Sequence, residues 1–165
     1  LSMSMDGIGA EFEYLRYGCK WMDFCANLSR YQSLSASSNL KVGIAYAQSW
    51  INARHFFDVL EWYDALDNQP TIYMSRIHFP EVMSADCLPD QVRKNLLKMA
   101  SGVSPVTDSA KVFLRRYIES LTNIRHHGIG WGDGIARLGE LDALRGNTHL
   151  LLTEPLVRMA NPTTS

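Results

Sequence analysis

The sequence predicts an α/β fold: an incomplete unit of about three parallel strands, followed by C-terminal helices. Three observations carry that reading. Strand-like alternation and helix-like spacing of apolar residues take turns through the first 80 residues. The order strand, helix, strand, helix, strand implies parallel strands joined by right-handed crossovers. Beyond residue 80 only the helical spacing recurs. Parallel sheets normally have more strands and both faces covered. The expectation is therefore an incomplete unit, with residues 1–80 as its strand-bearing part, 81–165 as a helical extension, and further strands upstream of Leu1.

Leu1 to Asp6 alternates apolar and polar residues, as a strand does, and Gly7-Ile8-Gly9 marks a turn. Trp21, Phe24, Leu28 and Tyr31 recur at three- and four-residue steps, which predicts a helix over 20–34. Ser35 to Asn39 reads as a polar loop. Val42, Ile44 and Tyr46 alternate with Lys41, Gly43 and Ala45, predicting a strand over 40–46. Phe56, Val59, Leu60, Tyr63 and Leu66 share one face of a helix over 53–66, which Asp67-Asn68-Gln69-Pro70 ends. Thr71 to Ile77 is the third strand, closed by Phe79-Pro80. Pro89 suits the first turn of a helix carrying Val92, Leu96 and Met99. Thr107 or Asp108 caps a longer helix through Phe113, Tyr117, Leu121 and Ile124. Gly128 to Gly134 reads as a break before a last helix with Leu138, Leu141 and Leu144, stopped by Gly146. The tail after Pro155 reads as frayed.

Composition narrows the function classes. At 46% hydrophobic and 20% charged, the 165 residues suit one globular domain rather than a disordered chain. Sixteen basic against seventeen acidic residues give a formal charge of −1, so bulk charge argues for neither nucleic acid nor an anionic membrane. No apolar run reaches membrane-spanning length, and no basic region followed by an apolar one opens the chain. Cys19, Cys25 and Cys87 are odd in number and unrelated in spacing, which predicts free thiols in a reducing, cytoplasmic setting.

The phosphate-loop, nucleophile-elbow and zinc-helix patterns do not occur, and Phe12 stands where a dinucleotide fingerprint needs its third glycine. Adjacent His126 and His127 point in different directions on a helix and read as a solvated helix end. Trp131 reads as the anchor of a glycine-rich loop. The informative cluster is at the strand C-termini, where loops converge in parallel α/β architectures. Ser4 and Asp6 end the first strand, Ser49 and Asn52 follow the second, and His78 and Phe79 follow the third. Arg16 offers a planar guanidinium suited to a ligand carboxylate. The same residue types also cap helices and make turns.

Ser4-Met5-Asp6-Gly7-Ile8-Gly9, then Phe12-Glu13-Tyr14-Leu15-Arg16-Tyr17-Gly18, Trp21 and Ala26-Asn27-Leu28 resemble the fourth-strand region of radical S-adenosylmethionine enzymes. Within that superfamily the chain is most similar to proteins with a twitch domain. Ser49-Trp50-Ile51-Asn52, Glu61-Trp62, His78-Phe79-Pro80, Leu88-Pro89 and Asp142-x-x-Arg145-Gly146 extend the resemblance in order along the chain. The family's CxxxCxxC and GGE motifs do not occur, so the resemblance is to the C-terminal half of such an enzyme.

What the resemblance implies is a partial (βα) barrel fragment, and chemistry by a 5′-deoxyadenosyl radical with S-adenosylmethionine as cofactor. The four-iron four-sulfur cluster would belong to a missing N-terminal half, and the substrate, a peptide or small molecule, is unassigned. Ser4 and Asp6 would face cofactor or substrate, and Arg16 the methionine carboxylate. Ser49 and Asn52 would face the ribose and amino-acid region, and the backbone at His78 and Phe79 the adenine. The alternative is a small non-enzymatic α/β module that binds a peptide or protein partner through an exposed sheet edge.

Overall fold

A computed structural model describes residues 1–124 and 130–161. Its strands are β1 (Ser2–Met5), β2 (Gly43–Gln48) and β3 (Thr71–Arg76). Its helices are α1 (Gly9–Leu15), α2 (Trp21–Ala36), α3 (Phe56–Asp64), α4 (Asp90–Ser101), α5 (Asp108–Thr122), α6 (Trp131–Arg145) and α7 (Leu150–Ala160). Two short 3-10 turns, Glu81–Met83 and Ala85–Cys87, separate β3 from α4. The fold is α/β, a three-stranded parallel sheet with C-terminal helices, as the periodicities predict.

The strands lie in sequence order, β1 beside β2 beside β3, with Ser2 opposite Gly43 and Gly43 opposite Thr71. Sequential order with helical crossovers winds the helices onto one face, as in a (βα) barrel. On that face Met5, Ile44, Tyr46 and Ile72 are buried in the core. Phe113 of α5 meets Tyr46 edge-on, and Phe56 of α3 stacks on Tyr117 at 3.8 Å, so helices from both halves of the chain share one core. Each such side chain, fully buried, stabilises the fold by roughly 1.5–3 kcal/mol.

The other face is uncovered. Ser2, Ser4, Thr71, Tyr73 and Ser75 are exposed there, beside half-buried Ala45 and Ala47. Gly43 belongs to the same face, and a Cβ on it would lie 3.1 Å from the Tyr73 ring.

Several boundaries correct the sequence expectations. β2 starts at Gly43 rather than Leu40 and runs on to Gln48, whose buried side chain continues the inward alternation of Ile44 and Tyr46. Trp131 and Gly134 lie inside α6, so the glycine-rich stretch from Trp131 onward is helical. Residues 125–129, including His126 and His127, lie outside the described residues. The segment around Pro155 is a helix, because Leu152 and Leu156 bury its inner face and α7 packs on α4. Thr107 is the cap of α5, accepting the Ala110 N–H at 3.3 Å, and Gly146 ends α6 at φ 62°.

Candidate functional site

β1 delivers Asp6 to the C-terminal edge of the sheet, and the turn at Gly7 and Gly9 sends the chain into α1. Past the end of α1, Arg16 lies back against Asp6. Its Nε lies 2.8 Å from Asp6 Oδ2 without hydrogen-bond alignment, while its Nη2 donates to Oδ1 at 3.4 Å. Burial pushes the Asp6 carboxyl above its ordinary range; Arg16 pulls it down without overcoming that effect.

β2 delivers Ser49 and Asn52, both buried. Asn52 Nδ2 donates to the Asp6 carbonyl at 2.7 Å and to the Ala47 carbonyl at 2.8 Å. Its Oδ1 accepts the Ser49 N–H at 2.9 Å and the Ser49 hydroxyl at 3.2 Å. This one amide ties the ends of β1 and β2 together.

Asp6, Arg16, Ser49 and Asn52 thus form one bonded cluster. Ser4 stands beside it, on the uncovered face and in a groove of about 410 Å³ that Arg16 also lines. His78 and Phe79 stand apart, exposed in the turn after β3, with Phe79 88% exposed. A larger cleft, about 820 Å³, lies at the opposite edge of the sheet between Lys41 and Pro70 and is lined mainly by polar residues.

Two further clusters went unread in the sequence. His55, at the entry to α3, holds Nδ1 3.2 Å from Asp58 and 3.4 Å from Glu11 of α1, and its Nε2 is buried without a partner. The hydrogen bond from His55 holds Asp58 below the usual carboxylate range. The i,i+3 spacing of His55 and Asp58 was the available signal; Glu11 had none. Asp142 of α6 accepts bonds from the Tyr14 hydroxyl at 2.8 Å and from the His149 N–H at 2.6 Å, with His149 Nδ1 also at 2.6 Å. Asp142 and Tyr14 both fall in the motifs of the sequence resemblance, which pairs neither with the other nor with His149.

Cys19 is exposed, Cys25 sits half-buried in α2, and Cys87 is buried with its thiol donating to the Glu81 carbonyl. Among the described residues no three His, Cys, Asp or Glu side chains are grouped to hold a metal ion. These cysteines do not fit an iron–sulfur cluster, which is held by several thiolates together. No protein-family model matches the chain, and neither does any curated protein or solved structure.

Proposed function

We propose that this chain forms one wall of the S-adenosylmethionine and substrate pocket of a radical S-adenosylmethionine enzyme. The observation that carries the reading is the uncovered sheet face. A parallel sheet wound on one side only has the form of a barrel wall, whose inner face and strand C-termini take ligands. Here that face is small and polar: Ser4 and Ser75 offer hydroxyls, Ala45 and Ala47 leave room, and Tyr73 offers an aromatic surface. These groups suit an adenosyl amino acid. Hydroxyls answer a ribose, and the Arg16 guanidinium answers a carboxylate. Were S-adenosylmethionine held there, it would supply radical chemistry only in company with an iron–sulfur cluster, which the three cysteines of this chain do not fit. The chain's own part is to seat the ligand and shield it from water.

Equilibrium dialysis of S-adenosylmethionine against the full chain tests this, with Ala45→Leu as the variant that fills the face. Binding weakened at least about tenfold in Ala45→Leu, which one misplaced contact group of about 1.4 kcal/mol achieves, is the expected result. Undiminished binding by a folded Ala45→Leu contradicts it.

A further inference from the structure

We propose that Asp6 is a displaceable internal counter-ion of Arg16, occupying the guanidinium until a small anionic ligand with an apolar part enters the groove beside β1. This deepens the reading above, since Arg16 is the group assigned there to the methionine carboxylate, and it is testable without that ligand. The groove, about 410 Å³, has the size of a small-molecule site. Met3, Phe12 and Phe24 give it apolar walls, while Ser4, Arg16 and Asn27 supply polar ones.

The Asp6–Arg16 contact is poorly made for a pair so withdrawn from water, with side chains 13% and 30% exposed. Its close approach, Nε to Oδ2, lacks alignment, and its aligned bond is long at 3.4 Å. A partly desolvated ion pair holds firmly only where several aligned bonds repay the loss of hydration. A ligand anion arriving through the groove is free to take the two-pronged approach that Asp6 does not achieve.

Displacement leaves Asp6 buried beside a second anion, so binding is coupled to proton uptake at its carboxyl. The sign follows: affinity for the ligand rises as pH falls. Lys20 and Asp23 also line the groove, Lys20 paired with Glu13 at 3.0 Å and Asp23 exposed on α2, while Glu11 turns to His55, itself shared with Asp58. Across the sheet, the Tyr46 hydroxyl approaches the Asn52 carbonyl.

Butanesulfonate, ionised at every working pH, is the probe, titrated against the full chain, Asp6→Asn and Arg16→Gln between pH 8 and 5. The expected result is wild-type affinity rising by up to about tenfold per pH unit, the slope of one coupled proton. Asp6→Asn should bind about tenfold or more tighter than wild type at pH 7 with no pH dependence, and Arg16→Gln weakly throughout. Equal affinity of folded Asp6→Asn and wild type at pH 7 overturns the proposal. Should Asp6→Asn fail to fold, a wild-type affinity that is flat with pH overturns it equally. The two readings fail separately: S-adenosylmethionine that does not bind, beside a butanesulfonate series of the expected form, removes the radical reading alone. S-adenosylmethionine bound equally by wild type and Asp6→Asn removes the counter-ion alone.

Discussion

Asn52 spends both amide hydrogens and both lone pairs of its side-chain oxygen inside the fold, on the carbonyls of Asp6 and Ala47 and on the N–H and hydroxyl of Ser49. Removing it strands two carbonyls and an N–H, each costing about 1–3 kcal/mol when buried. Asn52→Ala should therefore lose about 3 kcal/mol or more in urea unfolding; a loss under about 1 kcal/mol would show that the knot is dispensable. In sequence Ser49 and Asn52 stood out both as ligand groups, by resemblance, and as turn residues, because an amide's valence looks the same whether its partner is a ribose or a backbone carbonyl. Asp142 makes a pH prediction. Burial alone would raise its carboxyl, but the bonds from Tyr14 and His149 outweigh burial and hold it below the ordinary range. A depressed carboxyl contributes stability that is present above the usual carboxylate range and lost as pH falls through its folded value. Asp142→Asn should be less stable than wild type at pH 7, and the gap in urea midpoint should close below about pH 4. A gap constant from pH 7 to 3 would contradict this.

Helix α6 docks through Gly134, where a Cβ would lie 2.8 Å from the Trp50 ring and from the Val82 carbonyl that accepts the Trp50 indole N–H. Backbone and a fully buried indole cannot yield cheaply, so Gly134→Ala should cost about 1–3 kcal/mol. Gly139, on the same helix, has open space at its Cβ, and Gly139→Ala should gain about 0.5–1 kcal/mol from helix propensity alone. Thermal unfolding of the pair separates packing from propensity; equal shifts would contradict the docking account. The same helix explains a limit on sequence reading. Gly132 and Gly134 read as a loop because glycine is a poor helix former, and nothing local announces that Trp50, some 80 positions earlier, needs the gap. Gln48 escaped the second strand because a polar residue breaks the alternation although its buried position continues it. α7 was hidden by Pro155, whose cost is met by burying Leu152 and Leu156. The strands were legible from their alternation, α2 and α3 from their apolar stripes, and α5 from its stripe together with a local cap at Thr107.

Taken whole, the molecule is a sheet with helices on one face and serines, alanines and Tyr73 on the other, and no helix among the described residues is long and apolar enough to cross a membrane. The alternating order of strands and helices predicted the parallel sheet; the bareness of one face was not legible, because Ser4, Ala45 and Ser75 suit a solvated strand as well as a ligand wall. If this face and the strand C-termini receive the ligand, amide chemical-shift mapping of the full chain with S-adenosylmethionine will locate it there. The predicted result is a contiguous set of shifts at Ser4, Ala45, Ala47, Tyr73 and Ser75, reaching Arg16. Shifts confined to the helices or to the cleft between Lys41 and Pro70, or none at all, would contradict it.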